Sequence, residues 1–244
     1  MRLYTATGQG CLVWITCGRY QAHVALGDIG SFRQGGQKMQ PTALLSVYDK
    51  TGIVPFSKGL TTLGWKLISS GGTAKVLREA GIEVIDVAEF SGLEAILDHR
   101  VVTLVPQVHG GLLALDNTKH DADRAKINAS WIDMACIDLY PLAAEISRPG
   151  ATLESVIAKT DVGGPTMIAS AAKGGRITIC DPADRPIVLD WLERVKPDLK
   201  QLRREPFKDL FVYGLIAKAY ATLRDYNALS ADYHKQYLAS HQAT

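Results

Sequence analysis

Residues 65–79 read Trp-Lys-Leu-Ile-Ser-Ser-Gly-Gly-Thr-Ala-Lys-Val-Leu-Arg-Glu, and this stretch decides the fold class. The apolar run at 65–68 predicts a buried strand, and residues 74–79 predict a helix that Gly81 ends. Between them lies the short loop 69–73, which is rich in serine and glycine. Strand, glycine-containing loop and helix in this order are typical of a parallel α/β sheet.

The same alternation continues on both sides of this stretch. Further strands are predicted at 43–47, 84–87, 131–139 and 176–180. Helices are predicted at 54–63, 142–146, 153–158, 167–172, 186–195 and 210–238. Strands that alternate with helices predict an α/β fold, with a mainly parallel sheet covered by helices on both faces and a C-terminal helical segment.

Two segments do not follow this alternation. Residues 100–114 are interrupted by proline and glycine and are predicted to lack a regular element. The C-terminal helical region carries tyrosines at near-heptad intervals, which predict a packing seam between helices or in a dimer. These residues are Tyr213, Tyr220, Tyr226, Tyr233 and Tyr237.

The first forty residues differ in texture from the remainder. Residues 27–38 are rich in glycine, glutamine and charge, with little apolar periodicity. We therefore expect residues 1–40 to form a flexible extension and residues 41–244 to form the domain. An alternative is that Met39 is the true start.

Composition excludes several classes of protein. A formal net charge of +2 does not favour nucleic acid or an anionic membrane as a partner, so any basic site is local and suits a single phosphate. The four cysteines show neither Cys-x-x-Cys spacing nor a dense framework, which predicts a cytoplasmic protein without structural disulfides or a metal site. No apolar run approaches the length of a membrane span.

Two loops at predicted strand ends carry groups that suit a phosphate. Gly71 and Gly72 allow their backbone amides to approach an anion at the start of a helix, and Ser70 and Thr73 add hydroxyl donors. Lys50, in the loop after the preceding strand, adds a full charge. The alternative is an ordinary Gly-Gly turn with a threonine cap.

Two further loops supply candidate polar groups. Arg100 is a candidate anion contact, whereas His109 is interpreted as a structural histidine bonded to its own loop. Tyr140, at the end of the fourth predicted strand, can direct its hydroxyl into the cleft or can pack at its rim.

The segment 161–173 opens a predicted helix. Gly163, Gly164 and Pro165 form a close-approach turn with proline at a favourable position, and Asp161 is either a cap or a functional carboxylate. Lys173 lies further along this alanine-rich helix. A buried lysine there needs a partner, and the alternative is an exposed lysine at the helix C-terminus.

Taken in order, these segments resemble the IMP cyclohydrolase domain of bifunctional purine-biosynthesis enzymes, whose fold is methylglyoxal-synthase-like and three-layered. The resemblance runs from about residue 43 to 238 and rests on an ordered set of motifs. They are Leu45-Ser46-Val47, Asp49-Lys50-Thr51-Gly52, Ser70-Gly71-Gly72-Thr73-Ala74, Leu139-Tyr140-Pro141, Asp161-Val162-Gly163-Gly164-Pro165, Ala171-Ala172-Lys173 and Asp225-Tyr226-Asn227.

The resemblance implies closure of the purine ring of a formamido-imidazole-carboxamide ribonucleotide to IMP, with loss of water and without metal or organic cofactor. It implies that the protein is a homodimer and that it binds a purine nucleotide. The implied catalytic residues are Tyr140, Asp161 and Lys173. The implied substrate- and phosphate-binding residues are Ser46, Lys50, Ser70, Gly71, Gly72, Thr73, Arg100, Thr103, Gly163 and Gly164.

Five positions depart from the pattern that the resemblance leads us to expect. Val102 stands in place of a lysine carried into the active site, and Val105 in place of a histidine. Asp138 replaces asparagine, Ala169 replaces a common arginine, and Gly174 replaces asparagine. A valine neither donates a proton nor stabilises an oxyanion, so reduced activity is expected.

Two alternative functions follow from these departures and from the fold. Loss of polar groups from the central loop also fits a nucleotide-binding or sensing module that retains affinity without chemistry. A methylglyoxal-synthase-like lyase acting on a small phosphorylated sugar ranks third, because the segments around Tyr140 and Lys173 match the cyclohydrolase better.

Overall fold

The computed structural model describes residues 40–98, 100–204 and 209–242. The predicted N-terminal extension, residues 1–40, lies outside the described residues except for Gln40.

Five parallel strands form one sheet in the order β3-β2-β1-β4-β5. The strands are β1 (Thr42–Ser46), β2 (Lys66–Ser69), β3 (Ile85–Asp86), β4 (Met134–Ile137) and β5 (Ile177–Ile179). The helices are α1 (Ile53–Thr62), α2 (Gly71–Glu79), α3 (Val87–Ser91), α4 (Pro106–Leu113), α5 (Thr118–Lys126), α6 (Leu142–Ile146), α7 (Leu153–Lys159), α8 (Gly163–Lys173), α9 (Asp184–Val195), α10 (Leu199–Leu202) and α11 (Leu210–Gln242). The predicted α/β class and parallel sheet are confirmed.

The sheet separates two apolar layers, which makes the fold three-layered. Along β1, Ala43 and Leu45 belong to one buried cluster and Leu44 to the other, because successive side chains of a strand point to opposite faces. Helices α1, α2 and α9 contribute to the first cluster, and α3, α4 and α8 to the second.

The long C-terminal helix α11 passes both layers. Val212 and Leu215 join the first cluster, and Ala219 and Leu223 join the second. Further along, Tyr226 packs with Leu142 and Val156 of α6 and α7 in a third, smaller cluster. The tyrosines therefore do not share one face: Tyr226 is buried, whereas Tyr213 and Tyr220 are about half exposed.

The prediction that residues 100–114 lack a regular element is wrong, since α4 occupies Pro106–Leu113. Pro106 is the first helical residue, where its missing N–H costs nothing. Gly111 serves packing rather than a turn, because a Cβ there would lie 2.5 Å from the carbonyl oxygen of Ser130. Glycine thus lets α4 approach the segment that leads into β4.

The fourth strand, Met134–Ile137, is shorter than the predicted 131–139, and Trp131 lies outside it. The guanidinium groups of Arg124 and Arg203 lie 4.0 and 4.4 Å from the Trp131 ring centroid. Arg203 also pairs with the buried Asp133 carboxylate at 2.6 Å. These contacts fix the amino edge of the sheet.

Candidate functional site at the carboxyl edge of the sheet

The strand order brings three of the predicted loops side by side. Strands β2, β1 and β4 are parallel neighbours, so the loops that follow Ser69, Ser46 and Ile137 leave the same edge of the sheet. The hydroxyl oxygens of Ser46 and Ser70 lie 3.5 Å apart. The first two loops therefore meet, as expected from the sequence.

The glycines of the second loop lie at the beginning of α2. Gly71 has φ +51°, a left-handed conformation that glycine adopts without strain. No atom lies within 4 Å of a Cβ placed on Gly71 or Gly72, so open space faces this backbone. Ser70 is the N-cap residue, yet its side chain makes no capping hydrogen bond. The first amides of α2 are thus left without a side-chain cap.

Thr73 anchors this loop to its neighbour. It is buried, and its hydroxyl accepts a hydrogen bond from the Val47 amide and donates one to the Val47 carbonyl, both at 3.1 Å. Its position therefore fixes the geometry between the two loops, and its hydroxyl is already engaged.

Lys50 lies on the rim of the first loop. Its ammonium group donates to the Val47 carbonyl and, at 3.3 Å, to the Tyr48 carbonyl. Burial lowers the pKa of Lys50, while the nearby Asp138 carboxylate opposes that shift. A partly desolvated ammonium at this position interacts more strongly with an anion than a fully solvated one.

A buried ion pair that the sequence did not predict supports the first loop. The Arg185 guanidinium, in a residue only 1% exposed, lies 2.7 Å from the Asp138 carboxylate. Arg185 also donates to the carbonyls of Asp49 and Thr51. Asp138 accepts from the amides of Tyr48 and Asp49. Burial raises the pKa of Asp138, and those amides together with Arg185 oppose the shift.

The N-termini of the described helices differ in whether their N-cap residue supplies a side-chain cap. Helices α3, α5, α7 and α10 each begin with a side-chain cap, from Asp86, Asn117, Thr152 and Asp198 respectively. Helices α1, α2 and α4 begin without one. Free amides and the positive end of the helix dipole make such N-termini suitable for anions.

A second group of predicted residues meets at the start of α8. A Cβ on Gly163 would lie 2.8 Å from the Thr103 hydroxyl oxygen, and one on Gly164 would overlap the Asp161 carboxylate and lie 2.7 Å from Leu139. A side chain at either position would therefore displace the Thr103 hydroxyl or the Asp161 carboxylate from its present place. The structure thus brings together four of the predicted site residues, Thr103, Asp161, Gly163 and Gly164.

The Asp161 carboxylate accepts a hydrogen bond from the Gly164 amide at 3.0 Å, so it acts as a cap of α8. Burial raises the pKa of Asp161, and hydrogen bonds from backbone amides partly offset that shift. A carboxylate with a raised pKa is a better proton acceptor. The two interpretations of Asp161, cap and functional group, are compatible.

Two half-exposed tyrosines lie in the loops that follow β1 and β4. The rings of Tyr48 and Tyr140, 53% and 49% exposed, form an edge-to-face pair with centroids 5.3 Å apart. Tyr48 was not among the predicted site residues. Its position directly after β1, opposite the tyrosine that follows β4, could have indicated it.

The structure does not bring Lys173 to this group. Asp161 precedes α8, whereas Lys173 is its last residue and is exposed. Ten helical steps separate Gly163 from Lys173, a distance of about 15 Å at 1.5 Å per residue. Arg100 is also exposed, next to the turn closed by pairing of Ile96 with Val101.

His109 has structural contacts both with its own loop, as predicted, and with α8. Its Nδ1 atom lies 2.9 Å from the Ser170 hydroxyl of α8, which joins α4 to α8. Burial lowers the pKa of His109, and an interaction with the Thr103 backbone opposes the shift.

The departures from the expected pattern are accommodated by packing. Val105 is 6% exposed and belongs to the apolar cluster of Val108 and Leu112, while Val102 is half-buried. Gly174 directly follows α8 and packs closely against α4, so a Cβ there would overlap the Leu112 carbonyl. Asp138 finds its counter-charge in Arg185.

Other features of the described residues do not coincide with this edge. A depression of about 430 Å³ lies at the amino ends of β2 and β3, lined in part by Trp65, Lys66 and Ile85. Within the described ranges, no group of three His, Cys, Asp or Glu side chains is arranged to hold a metal ion. No helix there is long and apolar enough to cross a membrane.

Comparison with known proteins agrees with this architecture. The MGS-like domain model matches residues 52–166. The bifunctional purine biosynthesis protein PurH of Magnetococcus marinus is 49% identical over 153 residues, which cover 62% of this chain and 29% of that protein. PurH of Neisseria meningitidis is 40% identical over 194 residues, covering 78% of this chain and 35% of that protein. PurH of Leuconostoc citreum is 41% identical over 200 residues, covering 79% of this chain and 39% of that protein.

A solved structure, described as the crystal structure of ForH, has a TM-score of 0.69 and 32% sequence identity, and the match covers 80% of this chain and 97% of that one. The fold and the matched domain define an MGS-like α/β domain. Within that class, the chain belongs to the PurH-like family. It spans about a third of the length of these curated PurH relatives.

Proposed function

We propose that this chain is a cytoplasmic, homodimeric IMP cyclohydrolase that closes the purine ring of 5-formamidoimidazole-4-carboxamide ribonucleotide. The observation that carries the proposal is the Asp161 turn at the start of α8, packed against Thr103 at the sheet edge that also bears the Ser70–Gly72 loop. The PurH relatives are purine biosynthesis proteins by name, which supports the same substrate class.

The phosphate end is assigned to the two adjoining loops. The N-terminus of α2 has no side-chain cap, open space surrounds a Cβ placed on Gly71 or Gly72, and the Lys50 ammonium supplies a positive charge. Ser46 lies within contact of Ser70, and Thr73 holds the loops together. This arrangement suits a phosphomonoester, which needs several donors and one cation.

The reacting end is assigned to the second group of residues. In the proposed step, the carboxamide nitrogen attacks the formyl carbon, a C–N bond forms, and the Asp161 carboxylate accepts the N–H proton. The formyl oxygen takes a proton from Tyr140 to become a hydroxyl, and it then leaves as water together with the proton of the formamido nitrogen. The proton held by Asp161 returns to Tyr140 through solvent, which restores both groups. Thr103, Gly163 and Gly164 orient the turn that holds Asp161.

Because both reacting groups belong to one molecule, orientation and proton transfer suffice. Lys173 receives no step in this scheme, since about 15 Å of helix separates it from the Asp161 turn. Arg100, being exposed near the central loop, remains a predicted anion contact.

The test is formation of IMP from the formylated ribonucleotide, followed by absorbance and chromatography. We expect slow turnover by the wild-type chain and loss of turnover in Asp161→Asn, with unchanged affinity for IMP. Asp190→Asn is the matched control, because Asp190 is an exposed residue of α9. Absence of turnover at any enzyme concentration would refute the proposal.

A nucleotide-binding module without catalysis is the second candidate. The observation that favours it is the apolar side chain at position 105. This residue lies in the apolar cluster where the resemblance led us to expect a histidine. Micromolar binding of IMP without turnover in the same assay would select this alternative.

A further inference from the structure

Tyr226, in the Asp225-Tyr226-Asn227 motif of α11, contacts the Asp161 turn. Its hydroxyl accepts a hydrogen bond from the Asp161 amide at 2.6 Å, across 65 positions of sequence. The residue is only 9% exposed. A buried polar group of α11 is here aimed at one backbone atom of the candidate site.

The Tyr226 ring also contacts the segment that carries Tyr140. It packs with Leu142, the first residue of α6, two positions after Tyr140. Leu139 lies at the edge of the same cluster and against Gly164. One side chain of α11 thus touches both segments to which the proposed proton transfers are assigned.

Asp161 is held at three points. Its carboxylate accepts from the Gly164 amide, its backbone amide donates to Tyr226, and Gly164 leaves only the space that the carboxylate fills. Without the Tyr226 hydroxyl, the first peptide of this turn loses its hydrogen-bond partner, and the turn is free to shift. Catalytic steps between groups on one molecule are sensitive to displacements of about 1 Å.

We propose that Tyr226 is a positioning residue for Asp161, and that α11 thereby completes the candidate active site. The inference rests on the proposed function. The protonated hydroxyl is the form that accepts from the amide without adding a second negative charge beside Asp161. Burial raises the pKa of Tyr226, the hydrogen bond from the Asp161 amide opposes that shift, and the Asp161 charge adds to it. The pKa therefore stays above its ordinary value, and this form is retained at neutral pH.

The experiment compares Tyr226→Phe with Tyr233→Phe in the full chain. Phenylalanine retains the ring in the cluster and removes only the hydroxyl. Tyr233 lies two turns further along α11 and packs at the edge of the same cluster. We expect Tyr226→Phe to lower kcat about 10- to 100-fold with KM changed less than twofold, and Tyr233→Phe to change neither.

A second measurement does not depend on turnover. The amide hydrogen exchange of Asp161, followed by NMR, is expected to accelerate at least tenfold in Tyr226→Phe and to stay unchanged in Tyr233→Phe. If the wild-type chain makes no IMP, the proposed function fails, while this measurement still decides whether Tyr226 holds Asp161. Unchanged exchange and unchanged kcat in Tyr226→Phe would overturn the inference, as would equal losses in both variants.

Discussion

Asp138 and Arg185 form a buried ion pair of 2.7 Å beneath the loop that follows β1, and between them they contact the backbone of Tyr48, Asp49 and Thr51. Asp138 accepts from two amides, and Arg185 donates to two carbonyls. The pair therefore satisfies four backbone groups of the loop between β1 and α1. It also explains why aspartate is accommodated where asparagine was expected.

Asp138→Asn is expected to destabilise the fold by about 3–5 kcal/mol, because it leaves the Arg185 charge buried without a counter-charge. The double variant Asp138→Asn/Arg185→Met is expected to be more stable than the single variant, since no charge is then stranded. Urea unfolding measures both. The control Asp190→Asn breaks an exposed pair with Arg194 and is expected to cost less than about 1 kcal/mol. A double variant no more stable than the single one would contradict this account.

Local sequence was sufficient to predict the sheet, because strand, loop and helix signals are carried by neighbouring residues. The turn between β2 and α2 was found for this reason, but it is shorter than the predicted loop 69–73, because Ser69 ends β2 and Gly71 already begins α2. The helix α4 was missed because Pro106 and Gly111 signal a break locally, although tertiary packing against Ser130 requires the glycine. Local composition does not contain that information.

The candidate site was predicted only where its residues are close in sequence. Asp161, Gly163 and Gly164 form one turn and were found together, whereas Arg185 lies 47 positions from Asp138 and carries no motif. Lys173 was grouped with Asp161 although helical spacing alone separates them by about two to three turns. Helical spacing places Lys173 at the far end of α8, and matching a sequence motif does not take that distance into account.

Val102→Lys is expected to raise the rate of IMP formation by about two to three powers of ten, since a cation beside the reacting oxygen stabilises developing charge. Val102 is half-buried, so the longer side chain has access to solvent. Steady-state kinetics with Val102→Met as a control of similar length separate charge from size. Equal rates in both variants would show that the missing lysine does not limit turnover.

Val105→His is expected to destabilise the fold by about 1–3 kcal/mol, because it buries an imidazole without a partner in the cluster of Val108 and Leu112. Burial lowers the folded-state pKa of such a histidine below its unfolded value of about 6.5. The unfolded state then binds more protons, so the variant loses further stability as pH falls below about 6.5. Thermal unfolding at several pH values, with Val105→Ala beside it, tests this expectation. A Val105→His protein whose stability tracked that of Val105→Ala at every pH would contradict it.

Gly174→Ala is expected to cost about 1–3 kcal/mol, because its Cβ would overlap the Leu112 carbonyl and backbone atoms cannot move aside cheaply. Gly214 in α11 is the matched control, since no atom lies within 4 Å of a Cβ placed there. Gly214→Ala is expected to stabilise by about 0.5–1 kcal/mol through helix propensity. Urea midpoints that shift in the same direction would show that α4 and α8 adapt to the added methyl group.

The pH dependence of the proposed reaction is expected to separate into two limbs. Asp161 accepts a proton only as a carboxylate, and burial raises its pKa, so kcat rises with pH through a value above that of an exposed aspartate. Lys50 binds phosphate only as an ammonium, and burial lowers its pKa, so KM increases at a lower alkaline pH than for an exposed lysine. Lys50→Arg is expected to remove the alkaline limb, since a guanidinium remains charged. An alkaline rise of KM that persists in Lys50→Arg would assign that limb to another group and exclude Lys50 as the phosphate cation.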